Sequence, residues 1–574
     1  SGGGGQGWYD YDWTVPDAIS NNVEVRVVDM TDPTMAAGNR YEDISGVFKI
    51  KGEISSVGKP AAGDVIRVSD GDDLTTGDAE TITWTKKGSI ASYKVEISTN
   101  GITGTYYEAR SSTAGVDMGS YISTTFEVPI TTSGNCIIRI SDLSDSVEVS
   151  NTSSAFTIRN RLILAKTPID NKTFIVGDAV QGIVPITWTN RGAIPAVEVH
   201  YSKLGTFADA VLLATIDPNS AHNAQKGWPW TIEDSRDTFP AKTGKIRVRQ
   251  VTDTNVYDIN DVGFNIRGQI TVNTPTGGDA WVVGENRYVT WTCQGKINQV
   301  DIRYTLDNGG DGYPVTQSIG AAPIASSNGQ RTYGPWTVPN SIANQVKVKV
   351  FDYNDASAEG FSSGFVTIRG KLEISEPLSN TKWSVGGSGV INWTPTGSIG
   401  DIQVQYLQKD KDPAVDANWT TITTINASAG GCNWNPVADV ITSSARIRLK
   451  AATAWRANIP ISEPFNIRSK ITAGKPVFGD QYVVYNSPTQ VTTYPITWTY
   501  TGSVSQVLMQ YKVGAGGWNP ITTTSAGFSG QGSYDWKVAD SISGDVYVRV
   551  LDNDSDHPAS ESLDSAQFAI KGYL

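Results

Sequence analysis

The sequence predicts an all-β chain, a tandem array of immunoglobulin-like antiparallel β-sandwiches. Three observations carry this: a tryptophan motif repeated five times at a domain-sized period, alternating apolar segments after each copy, and turn residues between them. The motif reads ITWTKKGSI from Ile82, ITWTNRGAI from Ile186, VTWTCQGKI from Val289, INWTPTGSI from Ile391 and ITWTYTGSV from Ile496. Its tryptophans, Trp84, Trp188, Trp291, Trp393 and Trp498, stand 104, 103, 102 and 105 residues apart. Solenoid repeats run about 20–50 residues, so this period is a folding domain.

Each tryptophan precedes a period-two segment: YKVEIS from Tyr93, VEVHYS from Val197, VDIRYT from Val300, IQVQYL from Ile402 and VLMQYK from Val507. Alternation of this kind is the signature of a strand with one buried face. A second aromatic then enters a polar turn and another alternating run, as in WTVPNSIANQVKVKVFD from Trp336; Trp13 and Trp536 head similar runs, and Phe126, Trp230 and Trp434 hold the same place elsewhere. Every repeat closes on a strand of the type FTIR at Phe156 or FNIR at Phe264. About seven short strands per hundred residues, without helical periodicity, describe a two-sheet sandwich. The repeated tryptophan is expected to fill the space between the sheets, where burial of one large aromatic contributes roughly 1.5–3 kcal/mol.

Composition agrees. The chain has 574 residues, 39% hydrophobic and 18% charged, with 57 Gly, 17 Trp and 23 Tyr, which is too long for one core and too apolar for disorder. A net charge of −12 and the lack of any Lys/Arg run argue against a nucleic-acid partner. No apolar stretch reaches the roughly 18–20 residues of a membrane span. Cys136, Cys293 and Cys432 fall in different repeats, so none closes a disulfide within its own repeat; they read as buried small hydrophobes or as intermolecular bridges.

With these motifs in hand, the module resembles the immunoglobulin-like domain of fungal cell-wall glucan-assembly and Ser/Thr-rich anchored proteins, which also recurs in large prokaryotic surface proteins. The shared elements are the entry TPTGGDAWVVGENRYVTWT from Thr274 to Thr292, the W-x-V-P turn and the S-x-x-F-x-I exit strand, found repeat by repeat along the chain. The resemblance implies an extracellular β-sandwich and names no ligand. The fourth repeat departs from it, with no acidic residue in its late loop AATAWRANIP from Ala451.

Repeat ends set the expected modules at 52–159, 160–267, 268–369, 370–468 and 469–574, preceded at 1–51 by the second half of a module alone. Joints such as IRGKLEI contain one or two residues and no flexible linker, so a stiff or gently twisted rod on the order of 200 Å is expected. The half module should expose an apolar face and unpaired strand edges. Two explanations are open: a window on a longer repetitive chain, or completion by strands of a neighbouring chain.

Chemistry is sparse. His200, His222 and His557 lie at unrelated repeat positions, with His200 read as a surface residue, so no triad or zinc site is expected. A string of small sandwiches offers no obvious cleft for paired carboxylates, and the chain is read as no enzyme. Calcium is the candidate cofactor, because hard cations take clustered loop oxygens. The best candidate is Asp552, Asp554 and Asp556; Asp307, Asn308 and Asp311, and Asp70, Asp72 and Asp73, are weaker. Asp29, Asp142, Asp253, Asp352 and Asp552 recur after the alternating strand and read as turn caps. Trp8, Tyr9 and Tyr11 are candidates for sugar stacking or for packing on a missing half module. Asn151, Asn171, Asn392, Asn418, Asn426 and Asn553 fit the N-glycosylation sequon. The expected role is a structural repeat protein of an extracellular filament, surface layer or stalk that self-associates, with cell-surface polysaccharide as a further partner; the alternative is an adhesin or carbohydrate-binding array.

Overall fold

The computed structural model describes residues 9–30, 41–68, 80–217, 227–484 and 492–573, apart from 118, 120, 127, 130 and 235. His222, Trp8, Asp70, Asp72 and Asp73 therefore lie outside the described residues. The chain divides into two compact units, Ser1–Arg267 and Gly268–Leu574. Among the described residues the helical segments are four 3-10 turns of three residues each; no helix is long and apolar enough to cross a membrane, which leaves strand-crossing proteins aside.

The repeat containing Trp291 illustrates the architecture. Strands Gln269–Thr274, Asn286–Gln294 and Gly329–Thr337 form one antiparallel sheet. The second runs in the order Ala280–Val282, Val366–Arg369, Ala343–Asp352, Gln299–Thr305, Ile324–Ala325. Its edge pair is parallel, with Trp281 opposite Ile368, while the long strand Ala343–Asp352 pairs antiparallel with Gln299–Thr305, Val350 opposite Ile302. The exit strand meets that long strand across a bulge between Ala343 and Val346, and the same irregularity recurs between Ser133 and Cys136, Phe239 and Gly244, Thr442 and Ala445, and Ser543 and Val546.

Five separate hydrophobic clusters fill the sandwiches, spanning Ile54–Ile158, Leu162–Ile266, Ile270–Ile368, Leu372–Ile467 and Ile471–Ile570. All five motif tryptophans are buried. Three also satisfy the indole N–H, on Ser326 Oγ, the Ala427 carbonyl and the Ala526 carbonyl; in Trp84 and Trp188 it has no partner. Large apolar rings thus fill the space between the two sheets of each sandwich. Cys136 and Cys293 lie buried and Cys432 half-buried as free thiols, each pushed above the usual thiol range by burial.

Among the described residues before Ile54 there is no comparable cluster. Strand Ser20–Val23 pairs with Phe48–Ile50 and Arg26–Val28 with Glu42–Ile44, and the Trp13 ring meets Phe48 edge-on at 6.1 Å. Trp13, Val15, Val27, Ile44 and Val47 are all exposed.

Candidate functional site

The acidic loop after Asp552 is built by strand Ser543–Asp552, whose inward residues Val546, Val548 and Val550 anchor it in the core. The structure brings Asp552, Asp554 and His557 together, each offering a ligand atom within 4.8 Å of the others. Asp556 is not part of the group: its side chain turns outward to Lys409 Nζ at 2.8 Å, and that ammonium holds its carboxyl below the usual range. The candidate triad is corrected accordingly. Its cause is the turn at Asp554–His557, closed by the His557 N–H on the Asp554 carbonyl, which swings the imidazole in and residue 556 out.

The donor set does not suit calcium, which takes six to eight oxygens. Asp552 Oδ2 accepts from Ser469 Oγ at 2.6 Å and lies 2.9 Å from His557 Nδ1, and Asp552 Oδ1 accepts from the Asp554 N–H at 3.1 Å. Both Asp554 oxygens are engaged by Ser505, one by its N–H at 2.7 Å and the other by its hydroxyl. An imidazole in place of an oxygen is a ligand for later first-row metals rather than for hard cations. What the arrangement does is mechanical: it ties the loop to Ser469, the single residue between strands Phe465–Arg468 and Lys470–Lys475.

The Asp307, Asn308 and Asp311 loop closes on itself. Asp307 and Asp311 share the Thr305 hydroxyl, and Asp307 Oδ1 accepts the Asp311 N–H at 3.0 Å. Tyr9 and Tyr11 are almost fully exposed. Sequon Asn151 spends its amide on the Ile54 and Ser55 carbonyls, whereas Asn553 is exposed. His200 is a further correction: it is buried, not superficial, because the outer face of its strand is covered, and burial with the nearby Arg249 and Arg247 charges lowers its pKa. Of the recurring aspartates, Asp142, Asp352 and Asp552 occupy one register position, opposite Tyr93, Val300 and Val507; in the second repeat that position is Gln250, and Asp253 lies three residues on.

Two repeated devices escaped the sequence reading. The first is a hydrogen-bonded clasp across the joints. The residue four or five positions after the second aromatic receives the serine of the next repeat's Gly-Ser turn: Asp17 accepts the Ser89 N–H at 2.6 Å and its hydroxyl at 2.5 Å. Asn340 and Ser398 exchange two bonds, and Asp439 accepts the Ser503 N–H at 3.1 Å and hydroxyl at 2.5 Å. The turn glycines Gly88, Gly397 and Gly502 have positive φ, which presents the following N–H to the preceding repeat. Where the serine is replaced by Ala193, the joint is instead held by Arg159 on Asp253 at 3.1 Å and Asn160 on Gln250 at 3.0 Å. A recurring D/N after the turn and S after the glycine was the available signal.

The second is a cation under an aromatic ring at one register position in every complete repeat. Arg139 lies 3.9 Å from the Tyr106 ring centroid, Arg247 4.4 Å from Phe207, Lys349 5.6 Å from Tyr313, Arg448 4.5 Å from Trp419 and Arg549 4.3 Å from Trp518. The aromatic comes from the hairpin beyond the central strand and covers the outer face of the sheet, which is why outward-pointing residues there are not exposed.

No protein-family model matches the chain and no curated protein matches its sequence, so the likeness to the glucan-assembly domain stays with the shared motifs. Among solved structures, the tetra-tandem repeat in the extending region of a large adhesion protein is 12% identical, with a TM-score of 0.25, over 71% of this chain and 99% of that one. Sidekick-1 immunoglobulin domains 1–5 are 9% identical, TM-score 0.20, over 91% and 99%. Three N-terminal domains of the bacteriophage RB49 highly immunogenic outer capsid protein are 10% identical, TM-score 0.21, over 54% and 100%. At these scores the assignment rests on the strand pairing itself: the chain is a tandem array of immunoglobulin-like β-sandwiches.

Proposed function

We propose that this chain is a spacer segment of an extracellular surface protein, in which clasped repeats hold their neighbours at set angles and lateral contacts between copies build a filament, layer or stalk. The observation that carries the reading is the joint: one or two linker residues, plus side-chain hydrogen bonds from one repeat to the next at Asp17–Ser89, Asn340–Ser398 and Asp439–Ser503. Short joints with fixed polar contacts restrict swivelling, which a spacer requires and a flexible tether does not. The net charge of −12 disfavours nucleic acid as partner. The reading assigns no reaction to the chain.

Electron microscopy of the native material, with small-angle scattering of the purified chain, tests this. Stiff particles that align into a lattice or fibre are expected. Isolated, freely bending particles would overturn it.

A further inference from the structure

The second repeat contains a cleft that small sandwiches were not expected to form. It encloses about 520 Å³ and is lined by Tyr201, Lys203, Asp209, Glu233, Arg236 and Asp237, with Leu204 and Val211 at its exposed rim. A comparison within the chain shows what is unusual about it. Tyr201, Tyr304, Tyr406 and Tyr511 pack their rings against the second aromatic of their repeats, with centroids 5.0, 5.6, 4.7 and 5.4 Å apart. In the third and fifth repeats a serine meets the tyrosine hydroxyl, Ser341 for Tyr304 and Ser541 for Tyr511.

In the second repeat that hydroxyl has no partner, although Tyr201 is only 3% exposed. Beside it the Arg236 guanidinium covers the Tyr201 and Trp230 rings at 5.7 and 5.6 Å, and its Nε is likewise buried and unpaired. Buried polar atoms are almost always satisfied, so two orphans on neighbouring residues that line one cleft mark a place for an outside partner. Asp209 frames the wall, held by Ser202 Oγ and by the N–H groups of Lys203 and Leu204. Arg236 stands 3.6 Å from Glu233. That is longer than a charge-assisted hydrogen bond of about 2.7–2.9 Å and leaves the Glu233 carboxylate an acceptor for a ligand.

We infer that this cleft binds a neutral saccharide unit of one or two residues. Two cations and three carboxylates around one small volume disfavour an anion and suit a ligand whose every group both donates and accepts, which is what sugar hydroxyls do. Tyr201 Oη and Arg236 Nε donate to ligand oxygens, and the Glu233 carboxylate accepts from ligand hydroxyls. The volume falls within the roughly 300–1,000 Å³ of small-molecule sites. The inference is separate from the spacer reading, because saccharide binding and particle stiffness are measured independently.

The test is calorimetric titration of the full chain with cellobiose, maltose, lactose and mannobiose, with glycine and digalacturonate as zwitterionic and anionic controls. Saturable binding of at least one neutral disaccharide is expected, weakened about tenfold or more by Tyr201→Phe and by Arg236→Gln, the scale seen when a site loses a buried hydrogen bond to its ligand. Without ligand, Tyr201→Phe should leave the unfolding midpoint of the second repeat unchanged or raised, since it removes an orphan hydroxyl; this separates lost recognition from lost folding. The inference is overturned if no neutral disaccharide binds, if only the controls bind, or if both variants bind as the parent does.

Discussion

Ser398 donates its backbone N–H to Asn340 Oδ1 at 2.7 Å, and the Asn340 amide returns a bond to the Ser398 hydroxyl at 2.8 Å, across the joint between two sandwiches. The pair is reciprocal, so neither residue needs a charge. At Asp17–Ser89 the same place in the joint is held by a carboxylate that accepts both bonds. One mechanical contact is thus made with two chemistries, and the two differ in how they respond to acid.

The Ser89 hydroxyl and N–H hold the Asp17 carboxyl below its usual pKa of 3.8. A depressed carboxyl strengthens its contact above the ordinary value and loses that contribution as pH falls through the lower folded value. The Asp17–Ser89 clasp should therefore open only in acid below about pH 3.8, while Asn340–Ser398 persists. Amide shifts of Ser89 and Ser398 followed from pH 6 to 2 check this; parallel titration of both would contradict it.

Trp498→Ala should destabilise the fifth sandwich by about 3–5 kcal/mol, the usual cost of emptying a buried aromatic site. Trp498 is 2% exposed and sits in a cluster drawn entirely from Ile471–Ile570. Calorimetry should show one transition lowered and the transitions of the other cores unmoved.

Strand alternation and the tryptophan period were sufficient to read the fold class, because inward positions such as Trp291, Ile302 and Val348 are apolar in every repeat. Alternation tells which way a side chain points, not whether anything covers it. His200 points outward yet is buried beneath its neighbours, and Arg247 lies under Phe207. Asp253 looked equivalent to Asp352 by loop position, but cross-strand register sets Gln250 there instead. Asp556 was misjudged for a similar reason: spacing along a loop does not determine which side chains a turn brings together.

Asp352 is buried at the end of its strand, where burial raises its pKa and the Asn354 N–H at 2.9 Å only partly offsets this. A raised carboxyl makes the folded state lose stability as pH climbs from 3.8 toward the folded value, the opposite sign to Asp17. Asp352→Asn keeps an oxygen for Asn354 and carries no charge. Urea midpoints of parent and variant should diverge as pH rises from 3 to 7, with the variant equal or more stable at pH 7.

Calcium should leave the unfolding of the fifth sandwich unchanged, because the carboxylate oxygens of Asp552 and Asp554 are already engaged by Ser469, His557, Ser505 and the Asp554 N–H. A ligand specific for the folded state raises stability by mass action, by about 2.7 kcal/mol at a hundredfold excess over its dissociation constant. Melting in chelator and in millimolar calcium should coincide; a clear rise with calcium would restore the cation reading of this loop.

Gly370 occupies the linker place that Asn160 and Ser469 fill elsewhere, and the three do different work. Asn160 and Ser469 reach Gln250 and Asp552 with their side chains, tying linker to late strand. The register counterpart for Gly370 is Ala451, which has nothing to bond. There the contact is steric: a Cβ on Gly370 would meet the Ile399 side chain and come within 2.7 Å of the Thr396 carbonyl, and the Gly370 N–H already donates to Arg456 at 2.8 Å. Gly370→Ala should cost about 1–3 kcal/mol through overpacking. Ile399→Ala empties a buried site and costs about 2–5 kcal/mol alone; measured against that background Gly370→Ala should still carry part of its cost, because the Thr396 oxygen is backbone and cannot be trimmed. Ser469→Gly, by contrast, should remove one hydrogen bond, about 0.5–1.5 kcal/mol, without strain. Chemical unfolding of the three single variants and the Gly370/Ile399 double variant measures these costs; if Gly370→Ala costs nothing in the Ile399→Ala background, the side chain alone sets the joint.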